Sequence, residues 1–249
     1  MTSKVKKMVL ISGLSAFVVG LVIAIIVGQR SGGALPQSYL ENLAKSGIYI
    51  HEEGTTVPAV ALLDQQGNPF NIRDLEGTWS FVFFGYTYCP DICPTTLVTF
   101  KKLEKALSES GFLDDTRFVM VSVDPKRDTP ERLNAYLAFF NPDYLGLTGD
   151  VNAITALARS VNVGFRIPDK QPGGSQDNGD SMKAQNFEAG QGNQPNNSEN
   201  TGLEAMDDYL VDHSTHILLL NPDVQLAGVF QMPHREALMA SVYQRLRQD

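Results

Sequence analysis

Residues 80–94, SFVFFGYTYCPDICP, decide the fold, and they carry both cysteines of the 249-residue chain. The apolar run Ser80–Phe84 predicts a buried strand, and Pro94 suits the first position of a helix. Cys89 and Cys93 are therefore predicted on a loop between that strand and the helix N-terminus. Unsatisfied N–H groups and the helix dipole favour negative charge there, so this position favours thiolates.

The chain around this stretch alternates between strand and helix patterns. An extended segment is predicted over residues 48–51, and strands are predicted over 57–63, 80–84, 118–123, 217–220 and 225–230. Helices are predicted over 38–46 and 94–110. Three more are predicted to begin at Thr129-Pro130, after an N-cap at Asp150, and at Pro233. This order predicts an α/β domain with a central mixed sheet and helices on both faces. A dithiol at the N-terminus of the first major helix is typical of a thioredoxin-like fold.

The N-terminus predicts a membrane anchor. Met8–Val27 carries no charged residue, and its 20 residues can cross a bilayer as a helix. Three lysines precede it, so the N-terminus is expected in the cytoplasm and the rest outside. A cleaved signal peptide is the alternative. We expect a single-pass protein of the bacterial inner (cytoplasmic) membrane, with its C-terminal domain in the periplasm.

Composition divides the rest of the chain. We expect an anchor over residues 1–28, a linker and N-terminal extension over 29–56, and a thioredoxin-like domain over 57–249. Residues 168–207 are rich in Gly, Asn, Gln and Ser, and they predict a long polar insertion loop within that domain. The net charge of the chain is −8, which does not indicate nucleic-acid binding.

The spacing of the two cysteines leaves three functions open. Cys89 and Cys93 are separated by three residues, whereas thioredoxin-type enzymes separate theirs by two. A structural disulfide, a redox pair and a metal site are all compatible with this spacing. In an oxidising compartment two neighbouring thiols become a disulfide unless a reductase or a metal keeps them reduced.

A histidine before a later strand favours the metal. His213 precedes the predicted strand 217–220, at the place where thioredoxin-like redox enzymes have a cis-proline. Two thiolates and one imidazole suit Cu(I), whereas Zn²⁺ prefers a fourth ligand. His216 is a competing ligand three residues further on.

Four other polar residues are predicted not to bind the metal directly. Asp91 and Asp212 are candidates for outer-shell partners that orient the ligands. His51 and His234 are predicted on the surface.

Four sequence blocks resemble the SCO/SenC copper-chaperone family. They are GYTYCPDICP (85–94), VSVDPKRDTP (121–130), GLTG (146–149) and VDHS (211–214). They occur in the family's order, and the resemblance extends over residues 57–242.

The resemblance implies a thioredoxin-like fold with Cys89, Cys93 and His213 as copper ligands, for Cu(I) and also Cu(II). It further implies membrane tethering and assembly of the binuclear copper (CuA) centre of cytochrome c oxidase. The expected protein is a metallochaperone rather than an enzyme, with subunit II of the oxidase as its receiving partner. Other copper chaperones or thiol reductases are expected as further partners.

Two alternatives to the metallochaperone remain. One is a thiol–disulfide reductase that uses Cys89 and Cys93 to reduce the cysteines of the oxidase copper site. The other is a redox sensor that binds no metal.

Overall fold

The fold is seen in a computed structural model, which describes residues 35–166 and 211–248 and, for Asp212 and His213, the backbone alone. The helices are α1 (Gln37–Lys45), α2 (Ile92–Glu109), α3 (Pro130–Ala138), α4 (Val151–Ser160) and α5 (Glu236–Leu246), with a 3-10 helix at Ile72–Leu75. The strands are β1 (Ile48–Thr56), β2 (Ala61–Asp64), β3 (Pro69–Asn71), β4 (Trp79–Gly85), β5 (Thr116–Ser122), β6 (Leu145–Thr148), β7 (Phe165–Arg166), β8 (Asp212–His213), β9 (Ile217–Leu220) and β10 (Gln225–Phe230).

Eight strands form one mixed sheet, in the order β1-β10-β9-β4-β5-β6-β2-β3. Strands β4, β5 and β6 are parallel, while β9 and β10 form an antiparallel hairpin beside β4. The unit β4–α2–β5 followed by β9–β10–α5 is the predicted thioredoxin-like architecture. Strands β7 and β8 form a separate two-stranded ladder.

Alternation along β4 explains why both faces of the sheet are covered. Phe81 and Phe83 point to the face covered by α1, α2, α3 and α5, whereas Val82 and Phe84 point to the face covered by α4. A strand that is apolar on both sides is typical of the centre of a sheet between two helical layers. The continuous apolar run therefore identified the central strand correctly.

Several predicted boundaries are wrong, each for a local reason. Residues Ile48–Thr56, predicted mostly as linker, form the edge strand β1, which pairs with β10 despite its charged residues. Residues 57–60 are not a strand, although Val57 and Val60 are buried. Helix α2 begins at Ile92 and not at Pro94, because the first helical turn needs no N–H partner and tolerates proline at its third position.

The helix caps agree better with prediction. The Thr129 side chain accepts a hydrogen bond from the Arg132 amide, and Asp150 accepts from the amides of Asn152 and Ala153. Both are the N-caps that the sequence predicted. The last helix begins at Glu236, three residues after Pro233.

Two predicted segments lie outside the described residues: the anchor Met8–Val27 and the insertion loop 168–207. Within 35–166 and 211–248, no helix combines the length and the apolar character needed to span a membrane.

Candidate metal centre

Cys89 lies at the N-terminus of α2, where its sulfur takes the position of a helix cap. The Cys93 amide, in the first turn, donates a hydrogen bond to the Cys89 Sγ at 3.4 Å. Asp91, the N-cap residue by position, is exposed and makes no side-chain cap bond. The orphan amides of this turn therefore favour negative charge on the Cys89 sulfur.

Cys93 is fully buried, and it lies directly behind Cys89, which is half-buried. The two sulfurs are not joined by a disulfide. The Cys93 thiol hydrogen-bonds to the Cys89 side chain, and this bond, followed by burial, strongly raises the pKa of Cys93. Cys93 therefore holds its proton while Cys89 is the acceptor of the pair.

The absence of a side chain at Gly85 makes room for the Cys93 sulfur. A Cβ at Gly85 would lie 2.8 Å from the Cys93 Sγ and 2.7 Å from the Phe83 Cε2. Both distances are well inside van der Waals contact. Gly85 is thus required for close approach of α2 to the end of β4.

Strand β8 reaches the cysteine loop through its preceding residue. Val211 is buried, and its backbone amide hydrogen-bonds the hydroxyl of Tyr86, three residues before Cys89. His213 then pairs with Phe165 in the β7–β8 ladder, and the Ser214 amide donates to the Gly164 carbonyl at 2.9 Å. The backbone that carries His213 is therefore held beside the loop that carries the cysteines.

The other histidines do not complete a site with the cysteines. Among the described side chains, no three of His, Cys, Asp or Glu converge on a common point, so His216 does not join Cys89 and Cys93. His216 lies near His234, whose pKa is lowered by burial and also by His216. His51 is exposed, as predicted. The prediction that His234 lies on the surface is wrong, because its side chain is half-buried and its Nε2 is buried without a described partner.

A buried carboxylate fixes the other side of the cysteine loop. Asp128 is fully buried, and its carboxylate accepts hydrogen bonds from the Thr87 amide at 3.1 Å and the Thr87 hydroxyl at 2.6 Å. The Ser122 hydroxyl, at the end of β5, donates to the same carboxylate at 2.6 Å. Burial raises the pKa of Asp128, against these hydrogen bonds, which lower it. Asp128 therefore ties the loop to the centre of the sheet.

Two arginines enclose the aromatic residue next to Cys89. The guanidinium of Arg132 lies 4.0 Å from the Tyr88 ring centroid and that of Arg127 lies 4.7 Å from it. Arg127 also pairs with the buried Asp124. These cation–π contacts immobilise the Tyr88 side chain beside Cys89.

Sequence reasoning missed Asp128, Thr87 and Ser122 as part of the site. All three lie in or beside blocks that carry the family resemblance, but Asp128 was predicted only as part of a polar loop. A buried aspartate has the same local pattern as a solvated one, so the family resemblance of residues 121–130 was the only signal for Asp128.

The family model for SCO1/SenC matches residues 51–187 of this chain, which include both cysteines and the Asp128 loop. This chain belongs to the SCO1/SenC family. The match ends before His213, so it does not bear on whether that histidine is a metal ligand.

Individual relatives agree with this family. The SCO2-like protein of Rickettsia typhi is 35% identical over 154 residues, which cover 62% of this chain and 70% of the relative. The mitochondrial SCO1 homolog 1 of Arabidopsis thaliana is 27% identical over 216 residues, which cover 84% of this chain but only 54% of the longer relative. The crystal structure of Arabidopsis ScoI with copper bound has a TM-score of 0.59 and 26% identity, covering 77% of this chain and 98% of that one.

Gly85→Ala tests the tight packing of the Cys93 sulfur. The added methyl group should displace the sulfur outward and lower the free energy of unfolding by about 1–3 kcal/mol. The rate of Cys93 alkylation, followed by mass spectrometry, should rise.

Gly146→Ala is the matched control, because its Cβ would crowd Leu133 and Leu137 at 2.7 Å and does not meet either sulfur. It should destabilise the protein to a similar extent and accelerate Cys93 alkylation less. Equal alkylation rates in the two variants would contradict the role of Gly85.

Proposed function

We propose that this protein is a membrane-anchored copper metallochaperone that binds one copper ion through Cys89, Cys93 and His213. It delivers the ion to the binuclear copper (CuA) centre in subunit II of cytochrome c oxidase. The observation that carries the proposal is the pair of adjacent sulfurs at the start of α2, in a chain of the SCO1/SenC family. The Arabidopsis relative with this fold has copper bound.

The donor set suits the proposed cargo. Two thiolates and an imidazole are soft and borderline ligands that favour Cu(I), and imidazole also accepts Cu(II). The described residues offer no cluster of three further donors that would form a closed structural zinc site. His213 is preferred to His216 because its backbone is held beside Tyr86, whereas the neighbour of His216 is His234.

The burial of the two cysteines supports delivery by ligand exchange. Cys93 is fully buried, but Cys89 is partly exposed, so an incoming ligand from a partner protein can reach the ion on one side. The segment Met8–Val27 is the proposed anchor that holds the domain at the periplasmic face of the inner membrane.

Copper titration of the full chain in detergent, with reduced cysteines, tests the function. We expect one Cu(I) per chain in competition with a chromophoric chelator, and transfer of that ion to the reduced copper-binding domain of subunit II. The oxidised chain should bind Cu(I) poorly, because the ligands must be thiolates. Absence of Cu(I) binding, or equal binding by the oxidised chain, would contradict the proposal.

The thiol–disulfide reductase remains a second candidate, favoured by the unequal exposure of the two cysteines. Partly exposed Cys89 attacks the target disulfide, and buried Cys93 then resolves the mixed disulfide, which oxidises this chain and reduces the target. This chemistry needs no imidazole. His213→Ala should therefore abolish copper transfer and leave any reductase activity on oxidised subunit II intact.

A further inference from the structure

Tyr136, on α3, has a buried hydroxyl that no described residue satisfies. A buried hydroxyl without a partner is destabilising, and nearly all such groups in folded proteins are hydrogen-bonded. By contrast, Tyr144 in the same core cluster donates from its hydroxyl to the Glu104 Oε2 at 3.0 Å.

Tyr136 packs against the part of the core that contains the cysteines. Its ring packs against the core cluster that contains Cys93 and borders Cys89, with the Phe140 ring centroid 5.5 Å away. One turn earlier on the same side of α3, Arg132 lies on Tyr88, the residue before Cys89. Burial raises the pKa of Tyr136, and the groups that raise it further are Cys93, Cys89 and Asp128, in that order. A tyrosine hydroxyl is protonated at neutral pH and can donate a hydrogen bond.

We propose that the Tyr136 hydroxyl is a positioning group, which donates a hydrogen bond to the Cys93 sulfur when that sulfur is bound to copper as a thiolate. The inference rests on the proposed copper site. Without metal, the Cys93 thiol is hydrogen-bonded to Cys89. When Cu(I) binds, the thiol proton leaves to solvent, the Cys93–Cys89 bond is lost, and no electron is transferred. The buried Cys93 sulfur then carries a negative charge that a nearby O–H donor stabilises.

Tyr136→Phe tests the proposal, with effects of opposite sign on the two states of the protein. The metal-free full chain should be at least as stable as the wild type, because the variant removes an unsatisfied hydroxyl. Its affinity for Cu(I) should fall by about tenfold, since a hydrogen bond to a charged group is lost. The thiolate-to-copper charge-transfer band of the Cu(II) form should also shift, because hydrogen bonds to a ligating sulfur tune the site.

Tyr144→Phe is the matched control. It removes a hydroxyl that is already paired, so it should destabilise the metal-free chain and leave the Cu(I) affinity and the charge-transfer band unchanged. Equal Cu(I) affinity in Tyr136→Phe and the wild type would overturn the role of Tyr136 while leaving the copper site intact. Greater destabilisation of the metal-free chain by Tyr136→Phe than by Tyr144→Phe would also overturn the role of Tyr136. A wild type that binds no copper would instead overturn the proposed function itself.

Discussion

Replacement of Asp128 by alanine is expected to lower the free energy of unfolding by about 3–5 kcal/mol, because it leaves several buried donors without an acceptor. These donors are the Thr87 amide, the Thr87 hydroxyl and the Ser122 hydroxyl. Loss of the Thr87 bonds should also release the loop that carries Cys89. Urea unfolding of the full chain in detergent, followed by fluorescence, measures the effect.

Asp150→Ala provides the control for Asp128→Ala. Asp150 also accepts two backbone donors, but at the exposed N-terminus of α4, so its loss should cost only about 1 kcal/mol. Equal losses in the free energy of unfolding would contradict the account, because they would mean that the buried hydrogen bonds of Asp128 stabilise the fold no more than an exposed helix N-cap does.

Asp128→Asn adds a pH dependence with a defined sign. Burial raises the pKa of Asp128 above its ordinary value, so the stability that this group contributes is full at low pH and is lost as pH rises through the folded-state pKa. The wild type should therefore exceed Asp128→Asn in stability most at low pH. The difference should shrink as pH rises above about 4, the ordinary pKa of an aspartate, and a difference that grows with pH would contradict the raised pKa of Asp128.

Cys93→Ser and Cys89→Ser should each lower the Cu(I) affinity more than the roughly 10–100-fold that loss of an outer-shell partner costs, because each removes a soft ligand. Chelator competition measures this loss. We also expect the folded state to survive in both variants, because serine is close in size to cysteine.

His216→Ala is the matched control for the cysteine variants. It removes a half-buried donor group from the same end of the sheet, yet it should leave the Cu(I) affinity within about twofold of the wild type. Affinity retained in Cys93→Ser, or lost in His216→Ala, would require a different ligand set.

The sequence predicted the centre of the fold well, because its signals there are local. The apolar run at Ser80–Phe84 and the caps Thr129 and Asp150 are read from a few neighbouring residues. Of the edge strand Ile48–Thr56 only residues 48–51 were predicted as extended, because the rest includes two glutamates and a glycine and is held by pairing with β10, far along the chain. Such pairing leaves no local pattern.

The candidate site was predicted in part for the same reason. The cysteines stand out by their rarity and their position at a helix start. Asp128 depends on Thr87, 41 residues earlier, and Tyr136 depends on the packing of α3 against the core cluster that contains Cys93. Neither contact follows from periodicity, so both residues were first seen as part of the site in the structure.

X-ray absorption spectroscopy at the copper edge tests the central claim most directly, because it counts the ligands of the bound ion. The Cu(I)-loaded full chain should show two sulfur ligands and one nitrogen ligand. His213→Ala should lose the nitrogen and keep both sulfurs. A wild-type spectrum with fewer than two sulfurs, or a nitrogen ligand that persists in His213→Ala, would contradict the ligand set of Cys89, Cys93 and His213.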